Sequence, residues 1–268
     1  MDEILRNLRP GSSVLDVGSL TGSFPLDRCP GVTVARVDLS APAPGTCAGF
    51  VQADAARLPF PDRCFDAVIA NHSLEHVVNL EGTLKEIGRV VRPEGSMYVA
   101  VPDASTFSDR LFRWTYNGGG HVNPFCSARE LADRLGRYTG LELVAIRDLY
   151  SSFEYLNRYY FPGGAPLGLR ILGNGSRRSI MLLSYFMRVI DRVFGTRASA
   201  YGWAFYFGNV GEKVHTESWS NVCIGCGSGA SANWLMAKGH VRRRFMFWWY
   251  RCPVCDARNL FTLDRRVV

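Results

Sequence analysis

VLDVGSLTGSF, residues 14–24, runs a short apolar strand into Asp16 and then into a turn that carries Gly18 and Gly22. Glycines are needed in such a turn because the backbone bends sharply and must approach a ligand more closely than a side chain permits. Three more stretches follow in order: VARVDLS at 34–40, FVQADAARLPF at 50–60 and FDAVIANHSLEHV at 65–77. Each couples an apolar strand to an acidic or glycine residue near its carboxyl end, which is where an open α/β sheet holds its ligand.

Apolar runs alternate with helical periodicity through the first 150 residues, the mark of a parallel sheet covered by helices. Strands are predicted near 13–17, 33–38, 49–53, 66–71, 95–101 and 142–149. Leu80, Leu84, Ile87 and Val91 repeat at helical spacing, with Gly95 after Pro93 expected to end that helix. Leu131 and Leu135 mark a second helix, Ser127 serving as its N-cap and Glu130 as the capping-box partner. The polar, glycine-rich segment 102–126 reads as a long loop, a lid or substrate loop. An insertion at about 151–200 contains Tyr155, Tyr159, Tyr160 and Phe161 and a basic amphipathic helix at about 177–194. YGWAFYFGNV at 201–210 reads as one more strand, which would close the sheet. The fold class is therefore α/β: a Rossmann-like, doubly wound, mostly parallel sheet with a helical insertion.

Charge divides the chain more sharply than its total of +7 suggests. Residues 1–150 hold 15 Lys and Arg against 18 Asp and Glu, a balance of −3; residues 151–268 hold 16 against 6, a balance of +10. A basic part of this kind suits an anionic partner such as phosphate, nucleic acid or a lipid surface, or simply a solvated surface. With 47% hydrophobic and 21% charged residues the chain is not of disordered composition. No apolar run approaches the roughly 18 residues that span a bilayer, and Met1 to Pro10 does not read as a signal sequence. Four of the eight cysteines form two Cys-x-x-Cys pairs, and Cys29, Cys47, Cys64 and Cys126 are scattered. That usage favours a metal site in a reducing, cytoplasmic setting over a disulfide framework.

Asp38, about 20 residues beyond the first turn and at the end of the second strand, stands where a carboxylate accepts both hydrogens of a ribose diol. A nicotinamide-binding turn would carry a full Gly-x-Gly-x-x-Gly and no carboxylate beside a phosphate; Asp16 argues instead for a cationic cofactor. With these four motifs in register, the chain resembles the class I S-adenosylmethionine-dependent methyltransferases of the type 11 group, over roughly residues 10–150 with 201–210 as the last strand. The resemblance implies that Asp16, Gly18 and Gly22, with Ser19 between them, hold the methionine part of S-adenosylmethionine. It implies that Asp38 and the adjoining Leu39 meet the ribose, that Asp54 and Ala55 contact the adenine edge, and that Asn71 and His72 lie next to the sulfonium. Ser19 and Leu20 depart from the small or Cys-Gly pair many members carry in the first turn.

Methyl transfer to oxygen or nitrogen is an in-line displacement, aided by a general base only where the acceptor must lose a proton. His72, His76, Tyr116 and His121 are the candidates at the sheet's carboxyl edge, with His121 and His72 taken as catalytic. His121, in GGGHVNPF, could take a hydroxyl proton or merely order its loop; that loop looks like the one in methyltransferases of glycan and polysaccharide pathways. His76 is expected to be structural at a helix start, and Glu75 to be solvated.

Cys223-x-x-Cys226 and Cys252-x-x-Cys255, 25 residues apart, have the spacing of a four-thiolate zinc ribbon. Four thiolates leave no open coordination position, so the zinc would be structural. The second knuckle lies between FMFWWY and NLFTL, strand-like runs that a hairpin could pair. Arg242, Arg243 and Arg244 beside Phe245, Phe247, Trp248 and Trp249 offer a surface for RNA, for packing or dimerisation, or for a glycan or lipid phosphate. The basic helix with Arg177, Arg178, Arg188 and Arg192 could lie on an anionic membrane or cap a substrate pocket.

The expected organisation is a methyltransferase domain at 1–212, with the insertion inside it, and a zinc ribbon-like domain at 213–268. The expected function is S-adenosylmethionine-dependent O-methylation of a sugar, glycan or other small molecule. An RNA methyltransferase using the basic ribbon, or an inactive scaffold, are the alternatives. NHSL at 71–74 replaces the Asn/Asp-Pro-Pro-aromatic motif of base-amino methylation, which weighs against that form of RNA chemistry.

Overall fold

The structure, a computed structural model, describes residues 1–42, 49–116, 118–157, 159, 175–211, 214 and 219–263, with the side chain of Arg244 set aside. Cys47, Tyr160 and Phe161 lie outside the described residues. Among those described, the chain forms two compact units: residues 1–102, 120–147 and 203–216, and residues 103–119, 148–202 and 217–268. The helical insertion and the cysteine-rich tail thus fall in one unit.

The first unit is built on a seven-stranded sheet: β1 (Ser13–Val17), β2 (Thr33–Asp38), β3 (Phe50–Gln52), β4 (Phe65–Asn71), β5 (Val91–Pro102), β6 (Leu143–Tyr150) and β7 (Ala200–Gly208). The strand order is β3-β2-β1-β4-β5-β7-β6. β1 pairs in parallel with β2 and β4, β2 with β3, and β4 with β5. β7 runs against its neighbours, since Asn209 donates to Gly95 and Asp103 to Tyr201 on one side, and Gly208 to Glu142 and Ser151 to Ser199 on the other. The last strand therefore does not close the sheet from outside; it is inserted between β5 and β6, and β6 takes the edge.

β1 buries Val14, Leu15, Asp16 and Val17 in succession, as a strand covered on both faces must. α1 (Asp2–Asn7), α2 (Leu80–Val90) and α4 (Ala128–Thr139) belong to this unit; α3 (Phe107–Thr115) belongs to the other. The core joins Leu15, Val68 and Val99 of the sheet to Leu84 and Ile87 of α2 and Leu131 and Leu135 of α4. Ser127 caps α4, its Oγ accepting from the Glu130 amide at 3.3 Å.

Two local readings change. α2 ends at Val90 rather than near Gly95, because Val91 already pairs with Phe65 of β4 and the Pro-Glu-Gly sequence forms a bulge inside β5 before pairing resumes at Ser96. Gly95 is needed there, since a Cβ would lie 2.9 Å from the carbonyl oxygens of Arg92 and Asp66. Segment 102–126 is not a continuous loop: it contains α3, capped by Thr106, whose Oγ1 accepts from Asp109 at 3.2 Å.

The second unit has its own apolar clusters. Phe153, Leu156, Ile180 and Ile224 form one, around α5 (Arg177–Phe194). Ala232 and Leu235 of α6 (Ala232–Ala237) form another with Tyr250 and Phe261. A three-stranded antiparallel sheet, β8 (Val241–Arg244), β9 (Phe247–Arg251) and β10 (Arg258–Leu260), completes it. Arg188, expected on the basic surface of α5, is buried instead and donates to the carbonyls of Ser184, Ser220 and Leu260, pinning the helix to the ribbon.

α2 and α4 pack closely through Gly88, where a Cβ would lie 2.2 Å from the Tyr138 carbonyl oxygen. Alanine is intrinsically better than glycine in a helix by about 1 kcal/mol, yet Gly88→Ala should lower stability by about 1–3 kcal/mol because the helices must separate. Chemical denaturation measures this, and a more stable variant would refute the close packing.

Candidate functional site

The carboxyl ends of β3, β2, β1 and β4 stand side by side, and every residue named for the cofactor lies on them or on the turns that follow. At the end of β1, Asp16 is fully buried. Its Oδ2 accepts from the Ser23 amide at 2.8 Å and its Oδ1 from the Ser23 hydroxyl at 2.7 Å, tying the far end of the turn back to the strand. Burial pushes the Asp16 carboxyl upward, against the Ser23 bonds and the nearby Arg36 charge. Its carboxylate is directed at the turn, so Asp16 shapes the site by holding Ser23.

The glycines are required for packing as well as for curvature. Gly18 has φ +66° and a Cβ there would lie 2.4 Å from the Ser73 Cβ; Gly22 has φ +110° and would lie 2.5 Å from the Arg36 guanidinium. The Ser19 hydroxyl donates to the Asp16 carbonyl at 3.3 Å, and the Ser19 carbonyl accepts from Gly22 at 2.6 Å. Leu20, at φ +39°, donates its amide to Asp38 Oδ2 at 3.2 Å. Asp38 Oδ1 accepts from Ser40 at 3.0 Å. A carboxylate has about four acceptor positions, so Asp38 pins the turn and still has capacity for a diol.

Leu39 is exposed beside Asp38, and its carbonyl accepts from the Gln52 side chain at 2.8 Å. Asp54 is exposed just past β3, its Oδ1 accepting from the Ala56 amide at 2.9 Å, while Ala55 packs on the core. Asn71 ends β4 in register with Ala100. His72 follows at φ +55°, its amide bonded to the Ala100 carbonyl at 2.9 Å. Its Nδ1 lies 3.7 Å from Oε1 of Glu75.

Glu75, expected in solvent, is buried, and among the described residues its Oε2 has no hydrogen-bond partner. Its backbone carbonyl accepts from Val122 at 2.8 Å and Asn123 at 3.0 Å, while the Asn123 side chain donates to the carbonyls of Leu74 and Val77. Asn123 thus orders this loop. His76 Nδ1 lies 3.0 Å from the Gly120 carbonyl and donates to it. The His76 and His121 rings meet edge to face at 5.0 Å. Glu75, His76 and His121 bring potential ligand atoms within 4.8 Å of one another. Tyr116 falls in the second unit, where its hydroxyl donates to the Tyr155 carbonyl at 2.7 Å. Ser23, Arg36 and Ser73 were not singled out from the sequence; of these only Arg36, a cation inside an apolar strand, carried a signal.

In the second unit, Cys223, Cys226, Cys252 and Cys255 converge, all four sulfurs within 4.8 Å of one another. Cys223 and Cys255 are 3.6 Å apart, as are Cys226 and Cys252. These are free thiols, far from the roughly 2.05 Å of a disulfide and close to the roughly 3.8 Å between thiolates on a tetrahedral zinc. The two knuckles repeat one geometry. The Cys223 and Cys252 carbonyls accept from Gly227 and Asp256, each at 2.9 Å, and those two residues share left-handed backbone at φ +72° and +58°. Amides of Gly225 and Val254 point at Cys223 and Cys252 sulfur, at 3.3 and 3.4 Å, and the Asn259 side chain adds a third such bond at 3.4 Å. A Cβ on Gly225 would lie 2.9 Å from the Ala257 Cβ. Burial drives the Cys252 thiol up to about 12, so a cation among the sulfurs would supply what an ionised cluster lacks.

Among known proteins, a family described as "Methyltransferase domain" matches residues 1–146. Demethylmenaquinone methyltransferase of Mycolicibacterium paratuberculosis is 36% identical over 112 residues, 40% of this chain and 48% of that protein. The Beutenbergia cavernae protein of the same name is 40% identical over 102 residues, 34% of this chain and 41% of its own. The chain thus spans about half the length, or less, of these relatives. The crystal structure of a SAM-dependent methyltransferase from Archaeoglobus fulgidus has a TM-score of 0.51 at 20% identity, covering 76% of this chain and 87% of that one. The YcgJ protein of Bacillus subtilis gives 0.50 at 18%, covering 75% and 92%. At these identities the two structures bear on the fold alone.

The four-sulfur cluster should hold one zinc ion per chain, measurable by metal analysis of the purified protein. Cys252→Ser should abolish it and lower the melting temperature, since structural zinc contributes on the order of 10 kcal/mol in small metal-stapled folds; a metal-free, equally stable wild type would contradict the assignment.

Proposed function

The chain belongs to the methyltransferase-domain family, and on that footing we propose that it transfers a methyl group from S-adenosylmethionine to a hydroxyl of a sugar, glycan or other small molecule. The observation that supports this most is the rim itself: Asp38 and Asp54 present carboxylates at the ends of neighbouring parallel strands, next to a glycine turn whose buried Asp16 holds it closed. When bound, the cofactor supplies a methyl group on a positively charged sulfur.

In this reading Asp38 accepts the two ribose hydroxyl protons, and Leu39 covers that sugar. Asp54 and Ala55 meet the adenine edge. The Gly18–Gly22 turn, with Ser19, admits the methionine part, and Asn71 and His72 flank the sulfur. Each assignment uses a group already held by backbone bonds, which limits the entropy lost on binding. His121 takes the proton from the acceptor hydroxyl. His72 is the second candidate, its Nδ1 3.7 Å from Oε1 of the buried Glu75.

The relatives named for demethylmenaquinone match 40% of the chain or less; the GGGHVNPF loop around His121 supports a hydroxyl acceptor. The zinc, held in a closed four-thiolate set, is structural. The described cysteines are free thiols, in keeping with a reducing cytoplasmic setting, and no described helix is long and apolar enough to cross a membrane.

Calorimetry with S-adenosylhomocysteine tests the cofactor site. Asp38→Ala should weaken binding by about 1–3 kcal/mol through lost charged hydrogen bonds, and no binding by the wild type would end the reading. His121→Ala should leave that affinity unchanged and slow turnover by about 10²–10⁴-fold. Labelled cofactor offered to RNA, glycan, lipid and small-molecule fractions of a cell extract identifies the acceptor; label confined to RNA would overturn the hydroxyl assignment.

A further inference from the structure

We infer that the tip of the β8–β9 hairpin is a membrane anchor, seating the second unit on an anionic lipid surface. Arg244 pairs with Phe247, which leaves Phe245 and Met246 as a two-residue loop. They are 83% and 84% exposed. Phe245 adopts φ +55°, a left-handed conformation that bulky residues avoid and that the first position of such loops ordinarily fills with glycine. Neither local backbone preference nor hydration favours an aromatic side chain there. A residue kept against both points to contact with something outside the chain.

The surroundings continue the same surface. An open apolar groove of about 510 Å³ lies beside the tip, lined among others by Met181, Leu182, Phe247 and Trp249. Leu182 and Phe186, one turn apart on α5, are 43% and 52% exposed. Around them Arg177, Arg178, Arg242 and Arg243 are exposed, within a part of the chain whose balance is +10. Projecting apolar side chains ringed by arginines match the boundary of an anionic bilayer: the former enter the acyl region while guanidinium groups stay with the phosphates.

Nucleic acid fits less well. Two of the rings on which bases could stack already carry one of the protein's own guanidinium groups, Arg243 at 5.8 Å from the Trp248 centroid and Arg258 at 5.3 Å from that of Trp249. Met246 offers a base no π face. A second copy docking through this face would set like charges against each other. The inference stands on the second unit alone and does not rest on the methyl-transfer reading.

Cosedimentation of the full chain with vesicles tests it. Wild type should bind vesicles of equal parts phosphatidylglycerol and phosphatidylcholine, and bind phosphatidylcholine alone weakly. Phe245→Ser with Met246→Ser should weaken anionic-vesicle binding about tenfold or more, and Arg242→Gln or Arg243→Gln about fivefold each, with zinc content unchanged. Phe245→Gly should raise thermal stability by relieving φ while lowering vesicle affinity; a loss of stability would mark Phe245 as structural and refute the anchor. Failure of the wild type to bind anionic vesicles would also refute it. So would an RNA oligonucleotide affinity, or a dimer in analytical ultracentrifugation, lost in the same tip variants.

Discussion

A buried carboxylate organises the carboxyl edge of the sheet. Asp16 ends β1 inside the core, and a carboxylate there must be compensated by hydrogen bonds; the amide and hydroxyl of Ser23 supply them. That requirement closes the turn across Gly18 and Gly22 at positive φ, and sets the Leu20 amide on Asp38. Because β3, β2, β1 and β4 are parallel neighbours, the same edge also collects Asp54, Asn71 and His72. The rim is a consequence of strand direction plus one satisfied buried charge.

The second unit solves a different problem. Its aliphatic clusters are small, and much of its tail is arginine, aromatic and cysteine. Two knuckles of matching backbone geometry bring four sulfurs together, and Arg188 joins helix to ribbon through three carbonyls. Sequence patterning placed Arg188 among the arginines of a basic helix face suited to a membrane or a pocket, since a charged residue in a helix is usually exposed. It is buried because a guanidinium, with five donors in a rigid fork, can satisfy several carbonyls at once. The basic character of α5 is therefore concentrated at its two ends, in Arg177, Arg178 and Arg192.

Much of the first unit was legible locally. Short apolar runs placed the strands within a few residues, and Ser127 with Glu130 marked the start of α4. Where local reading failed, a long-range partner decided. The helix stops at Val90 because Val91 pairs with Phe65 of β4, and Glu75 is buried because the loop through Asn123 folds over its turn. α3 was hidden by the glycines that follow it, whose composition reads as loop. The exposed Phe245–Met246 loop was also unreadable, since an apolar run in a hairpin ordinarily faces inward.

By itself the sequence determined the α/β class, the order of the strand-end motifs and the two Cys-x-x-Cys pairs, because these depend on residue type at short spacing. Only the tertiary structure decided that Asp16 serves the turn, that β7 is inserted between β5 and β6, that Glu75 backs His72 and that Arg188 is buried. Those outcomes depend on which distant groups compete for a buried charge or an unpaired strand edge, and that competition has no short-range signature.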